Sequence, residues 1–199
     1  MKNNHIGRQA KLKYEMGKFN TITTIGPNWK IQNLKQIIME SRLQFLLRKN
    51  AGKRYFEKYQ EELSKLIIDN DFKVLNLEDS DIISAAIIKN NKLFQQSNTT
   101  WTVRQKPFLE KNELRKVISH IQRKYNDIVY MSIKDSDMCG RVVLDKISSF
   151  NINFQYWDSI GGLIVFYDRS LTNSLVIDYY EEWNKYYYDL EIYGKEWYL

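Results

Sequence analysis

Apolar residues recur at three-, four- and seven-residue intervals near the start of the chain, with charged residues between them. This period predicts an amphipathic helix, because residues with these spacings lie on one helix face. The same period continues from Phe56 to about Ile68. The sequence therefore predicts a helical segment over residues 30–68, with a bend at Ala51-Gly52. Its first, narrow apolar stripe consists of Ile31, Leu34, Ile38 and Phe45.

Four further helices are predicted after residue 69. Ile82–Phe94 and Lys111–Lys124 carry apolar residues at helical spacing. Asp79-Ser80-Asp81 is the predicted N-terminal cap of the first of them, since short oxygen-bearing side chains accept first-turn amides. A weaker pattern at Val142–Ile147 predicts a short connecting helix, and the tyrosine-rich segment from Tyr179 to about Ile192 predicts a final one.

Runs rich in β-branched and aromatic residues predict strands between these helices. Residues 69–76 and 96–100 are polar and predict connections. The last two strand-like runs are expected to form a hairpin. The predicted strands are Trp101–Val103, Ile128–Ile133, Phe150–Trp157, Leu163–Tyr167 and Leu175–Ile177.

The predicted fold class is α+β, with an N-terminal helical stalk followed by a small α/β head whose sheet has roughly four strands flanked by helices. Residues 1–29 form a basic arm with five basic residues and one acidic residue, and the arm ends at Gly26-Pro27, where proline interrupts any preceding helix. The expected organisation is an arm (1–29), a helical stalk (30–68) and a C-terminal head (69–199).

Composition narrows the function classes. The chain has 199 residues, 43% of them apolar, and a formal charge of +6 from 30 basic and 24 acidic residues. This modest excess permits contact with nucleic acid without requiring it. Cys139 is the single cysteine, which excludes an internal disulfide and a cysteine-based zinc cluster. No run approaches the roughly 20 apolar residues that span a bilayer, so we expect a cytosolic protein that reaches a membrane only through a partner.

The motifs that suggest chemistry are incomplete. Gly161-Gly162 lacks the spaced glycines and the Lys-Ser/Thr pair of a phosphate loop, so it is interpreted as a structural bend. Asp135-Ser136-Asp137 is not followed by the glycine and distal glutamate of a calcium loop. His5 and His120 cannot be assembled into one site. We therefore predict no catalytic residue, cofactor or metal site, and not an enzyme.

Basic and aromatic residues alternate in Lys49, Lys53, Arg54 and Tyr55, a pattern that could bind a nucleic-acid backbone. Acidic residues at positions 57, 61 and 62 follow within two turns and favour a mixed-charge helix face instead. A small basic nucleic-acid-binding or ribosome-associated protein therefore remains the alternative function.

Several short motifs occur in a particular order along the chain. Lys30-Ile31-Gln32, Ser41-Arg42-Leu43-Gln44-Phe45-Leu46 and Leu63-Ser64-Lys65 are followed by Val103-Arg104, Leu114-Arg115-Lys116-Val117, Gly161-Gly162-Leu163-Ile164-Val165 and Asn173-Ser174-Leu175. This order resembles the E-type subunit of the V-type (vacuolar) proton-pumping ATPase, a peripheral-stalk protein. The chain departs from that family in its short basic arm, in Gln105 where a cysteine is usual, and in extra residues around Cys139.

The resemblance implies a mechanical function: a non-catalytic stator subunit that holds the catalytic head against the torque of the rotor. It also implies three kinds of partner, namely a helical protein like the G-type subunit, a component of the catalytic head like the B-type subunit, and other stator subunits. Location would be the cytosolic face of a vacuolar or other endomembrane. By this resemblance Ile31, Leu34, Ile38 and Phe45 contact the partner helix in a coiled coil, and the alternative is that they pack on the protein's own head.

Replacing Leu34 and Ile38 by Asp tests the partner-helix stripe. We expect the double variant to lose its helical partner and to keep a folded head, because a charge in a helix seam is desolvated without compensation. Co-purification and circular dichroism measure the two effects. Unchanged partner binding with an unchanged spectrum would contradict the interpretation.

Overall fold

In the computed structural model the chain divides into two units, with the boundary between Gln44 and Phe45. The backbone is described for residues 27–68, 72–94, 100–156 and 162–198. Side chains are described for residues 41–68, 72–90, 101–156 and 162–198. None of the helices in this described part of the chain combines the length and the apolar character that a membrane span requires.

The long first helix confirms the prediction of helical structure over residues 30–68. The helix continues without interruption through Ala51-Gly52, where the sequence predicts a bend. The two predicted helices that follow are also present, although the first begins earlier than expected. The helices are α1 (Pro27–Leu66), α2 (Leu77–Phe94), α3 (Asn112–Lys124) and α4 (Ser136–Cys139), with a 3-10 turn at Ile147–Ser149.

The described strands form one seven-stranded antiparallel sheet in the order β1-β4-β3-β5-β6-β7-β2. The α+β class with a long N-terminal helix is therefore confirmed, and the expectation of roughly four strands is wrong. The strands are β1 (Lys73–Val74), β2 (Thr100–Pro107), β3 (Val129–Ser132), β4 (Val142–Leu144), β5 (Leu163–Asp168), β6 (Ser174–Glu182) and β7 (Lys185–Tyr193).

The predicted final helix at Tyr179–Ile192 is wrong, because these residues form the end of β6 and most of β7. Tyr188, Leu190 and Ile192 are buried and the residues between them are not, which is the period of a strand. The connection is the two-residue turn Trp183-Asn184, with φ angles of 54° and 59°. Two successive positive φ angles match the right-handed twist of a hairpin.

Two other predictions in the middle of the chain are wrong. Phe150–Trp157 forms no strand of the sheet in the part described, up to Tyr156; instead Phe154 N–H donates to the Asn151 carbonyl in a turn, 3.1 Å apart. The apparent alternation arose because aromatic rings enter the core from a loop. The predicted helix at Val142–Ile147 is β4 followed by the 3-10 turn.

The region before α2 also differs from expectation. Asn76 caps this helix rather than Asp79-Ser80-Asp81, since its Oδ1 accepts the Asp79 N–H at 2.7 Å. The expected connection over residues 69–76 contains the short edge strand β1, which pairs with β4. Strands of two residues leave too little sequence pattern to predict.

The core lies between one face of the sheet and two helices. Tyr59, Leu63 and Leu66 of α1 are buried in the same cluster as Leu114, Val117, Ile118 and Ile121 of α3. Gly52 is buried as well, and a Cβ at this position would lie 2.1 Å from the Met138 carbonyl oxygen. The close approach of α1 to α4 therefore explains why position 52 is a glycine.

Because α1 completes the core, we expect the fragment 45–199 to fold and the fragment 69–199 to be strongly destabilised. Burial of each leucine side chain stabilises by about 2 kcal/mol, so the loss of Tyr59, Leu63 and Leu66 removes much of a domain's stability. Urea unfolding followed by circular dichroism measures the difference. Equal midpoints for the two fragments would place the domain boundary at 68/69, as the sequence predicts.

Candidate functional site

The residues predicted to contact a partner helix lie on α1. Ile31, Leu34 and Ile38 have helical backbone, but their side chains lie outside the described residues. Phe45 is half-buried, and the Arg48 guanidinium carbon and the Lys49 Nζ each lie 5.6 Å from the centre of its ring. Its contact with a partner stays a prediction.

Phe45 belongs to the same helix face as the buried residues of α1. Gly52, Phe56, Tyr59 and Leu63 follow it at seven-, four-, three- and four-residue intervals. This face becomes part of the unit's own core from Phe56 onward. After Phe45 this helix face therefore packs on the protein's own head, and contact of the stripe itself with a partner or with the head stays a prediction.

A second face of α1 exposes leucines. The exposed fractions are 56% for Leu43, 47% for Leu46 and 54% for Leu47. Leu46 and Leu47 are consecutive, so their side chains lie about 100° apart around the helix axis, and Leu47 lies nearly opposite Phe45. We call Leu46 and Leu47, the two that belong to the unit Phe45–Leu199, the leucine pair. The pair was not predicted from the sequence because the stripe containing Phe45 selected the opposite face.

The basic and aromatic segment after the leucine pair begins with cations that pair with acidic residues of α2. Lys49 contacts Glu78 of α2 at 3.4 Å, and Arg48 pairs with Asp81 of the same helix. Tyr55 is half-exposed on α1. Part of the positive charge is therefore matched within the protein.

The face of the sheet opposite the core carries tyrosines and carboxylates near β2 and β7. Arg104 donates to Asp189 at 2.9 Å and also to Glu191. The hydroxyls of Tyr180 and Tyr193 donate to Asp189 and Glu191 at 3.2 and 2.5 Å. Burial first, and then these carboxylates, raise the pKa of both tyrosines to about 12. Both phenols thus stay protonated at neutral pH and serve as hydrogen-bond donors.

The tip of the β6–β7 hairpin presents an aromatic side chain to solvent. Trp183 is 90% exposed and occupies the first position of the two-residue turn. A tryptophan with positive φ is unusual, because a bulky side chain crowds the backbone there. Exposed tryptophans are common anchors in protein interfaces.

The remaining polar motifs have structural partners. Ser136 Oγ accepts the Ile133 N–H at 2.9 Å and lies 2.9 Å from the Tyr59 hydroxyl, so Asp135-Ser136-Asp137 forms the turn into α4. Within the described residues, no group of three histidine, cysteine or acidic side chains could hold a metal ion. His120 Nε2 lies 3.1 Å from the Tyr198 carbonyl oxygen.

An open groove of about 870 Å³ follows the solvent side of α3. Three cationic side chains contribute to its wall, together with hydroxyl and amide groups. Arg115, Lys116 and Arg123 are the cations, and Lys116 pairs with Glu113 at 2.9 Å. This groove was not identified from the sequence, since the 3-10 turn that forms its far wall was predicted as a helix.

Comparison with family models, with curated proteins and with solved structures finds no match to this chain. The resemblance to the stator protein therefore rests on the short motifs alone. Four of them have the expected elements, since Leu63-Ser64-Lys65 lies at the end of α1, Val103-Arg104 in β2, Leu114-Arg115-Lys116-Val117 in α3 and Leu163–Val165 in β5. Asn173-Ser174-Leu175 does not, because it enters strand β6 rather than a last helix.

Gly162, the described member of the predicted bend, has a φ angle of 84°, and a Cβ there would lie 2.5 Å from the Tyr179 carbonyl oxygen. Gly161 lies outside the described residues. We expect Gly162→Val to destabilise the protein by roughly 1–3 kcal/mol, since a β-branched residue is strained at positive φ. Chemical denaturation measures the change, with Leu163→Val as the neighbouring control. An unchanged unfolding midpoint would exclude a role for Gly162 as a bend.

Proposed function

We propose that this chain is a non-catalytic binding subunit that pairs its long helix with a helical partner protein. The leucine pair is the observation that carries the proposal. Leu46 and Leu47 are about half-exposed although the same helix buries Tyr59, Leu63 and Leu66 in the core. Burial of each leucine against a partner would stabilise a complex by about 1–2 kcal/mol, given that part of each side chain is already covered.

The extent of this surface also fits a helical partner. Beyond the leucine pair, the same face of α1 continues with Asn50, Arg54 and Glu61, which are exposed and polar. A helix that packs along α1 would therefore find apolar contacts at Leu46 and Leu47 and charged contacts after them. Apolar seams flanked by charges are typical of helix pairing.

The specific form of the proposal is a stator protein similar to the E-type subunit of the V-type ATPase. Its partners would be a G-type helical protein, a B-type component of the catalytic head and other stator proteins. The ordered motifs support this form, as do the strand containing Val103-Arg104 and the helix α3 that follows it. In such a complex the chain carries load and performs no chemistry, at the cytosolic face of an endomembrane.

A nucleic-acid-binding function is the second candidate, and the groove along α3 favours it. Arg115, Lys116 and Arg123 follow one another at one- and seven-residue intervals along one helix. Cations seven residues apart lie on one face of a helix, where they can contact neighbouring phosphates. The carboxylates near β7 give the unit an opposing charge at another surface, which argues against nucleic acid wrapping the whole protein.

Co-purification of the tagged full chain from its own cells at two salt concentrations distinguishes the two candidates. For a stator we expect G-type and B-type subunits to co-elute and to remain bound at about 1 M salt, where exposed charges are screened within a few ångströms. For the second candidate, nucleic acid or ribosomal proteins would co-elute and be lost between roughly 50 and 200 mM salt.

The double variant Leu46→Asp with Leu47→Asp tests the surface directly. We expect its affinity for the helical partner to fall at least tenfold, while Tyr55→Asp with Gln60→Asp, the same change of charge at exposed positions of α1 off this face, retains binding. Circular dichroism checks that both variants stay folded. If the leucine variant binds as the wild type does, the proposed pairing through this face is wrong.

A further inference from the structure

Lys111 has an unusual environment at the start of α3. Its Nζ lies 3.6 Å from the ring centre of Phe108 and 4.1 Å from that of Phe154. The ammonium also donates a hydrogen bond to the Phe154 carbonyl oxygen at 2.7 Å. Two aromatic faces and one carbonyl thus surround a partly buried cation.

No carboxylate among the described residues forms an ion pair with Lys111. The nearest acidic neighbours in sequence are Glu110, which is exposed, and Glu113, which pairs with Lys116. Loss of hydration lowers the pKa of the Lys111 ammonium to about 8. The charge of Lys111 is therefore less well compensated than that of an ordinary surface lysine.

A cavity of about 350 Å³ opens next to this side chain. Lys111 and Arg115 supply two cations to its wall, and Asn112, Asn153 and Gln155 supply amides. The Arg115 guanidinium donates a long hydrogen bond to Asn153 Oδ1 at 3.4 Å, which leaves most of its donors directed elsewhere. Glu110 is the one acidic residue among the described lining residues.

We propose that this cavity binds the oxyanion of a small ligand, a phosphate or a carboxylate group, between the Lys111 ammonium and the Arg115 guanidinium. An anion there supplies the charge partner that Lys111 lacks. Planar guanidinium donors suit two oxygens of one group, and the lysine adds a point charge at close range. The aromatic rings limit the space for water around the ammonium and so strengthen the electrostatic attraction. This inference does not depend on the proposed function.

The affinity for the ligand should depend on the protonation of Lys111. A bound anion favours the charged ammonium, so the pKa of Lys111 rises from about 8 in the complex. Affinity is then highest below pH 8 and falls as the pH increases through the pKa of the free protein. If binding raises this pKa by about one unit, the affinity decreases about tenfold at high pH.

Sulfate is the first probe, because it stays a dianion over this whole pH range and models a tetrahedral oxyanion. The full chain is titrated with sulfate at pH values below and above 8, and the NMR signal of the Lys111 side chain reports both binding and pKa. Inorganic phosphate and acetate are then compared at low pH to distinguish a phosphate from a carboxylate ligand. Chloride at equal ionic strength controls for screening.

We expect saturable sulfate binding that raises the pKa of Lys111 and weakens about tenfold at high pH. Lys111→Met and Arg115→Gln should each remove most of this binding. Lys116→Met is the matched control, since this exposed lysine lies on the same helix outside the cavity and pairs with Glu113. Binding equally reduced by all three substitutions, or a Lys111 signal that responds to chloride as to sulfate, would overturn the proposal. Arg115→Gln keeps the test decisive if Lys111→Met unfolds the protein, because Arg115 is exposed.

Discussion

Burial of one face of the antiparallel sheet is the constraint from which the rest of the unit follows. An antiparallel sheet can leave its other face in water, but the first face must be covered completely. Alternate residues of β5, β6 and β7 supply that face, for example Phe166, Ile177 and Leu190, each without exposed surface. Helix α3 covers part of it. The long helix α1 completes the cover, which makes this helix a component of the core.

The two faces of this helix therefore have different surroundings. One face of α1 lies so close to α4 that position 52, beside Met138, has no room for a side chain and is a glycine. Tyr59 strengthens this contact, since its hydroxyl donates to the Gly140 carbonyl oxygen at 2.7 Å. The opposite face exposes the leucine pair. A helix that is held rigidly on one side is a suitable platform for a partner on the other, because little conformational entropy remains to be lost on binding.

Prediction from the sequence succeeded where one periodicity was unambiguous. The stripe of α3 has helical spacing throughout, and β3 and β5 combine β-branched residues with alternate burial. The prediction failed in β7. There, the consecutive tyrosines at 186–188 and the apolar residues that follow them fit the period of a helix as well as that of a strand. Neither the leucine pair nor the Lys111 cavity could be predicted from local pattern. The first depends on which face of α1 the sheet covers, and the second on Phe154, which is 43 residues away in the chain.

The distribution of charge constrains function more than the net value of +6 does. Carboxylates cluster near β7, where Arg104 offsets only part of their charge, whereas the solvent side of α3 carries Arg115 and Arg123. A partner of either sign would thus be attracted to one surface and repelled from the other, which orients it before contact. An excess of basic residues in the whole chain consequently does not identify a polyanion as the ligand. It is the local arrangement that determines which partner each surface can accept.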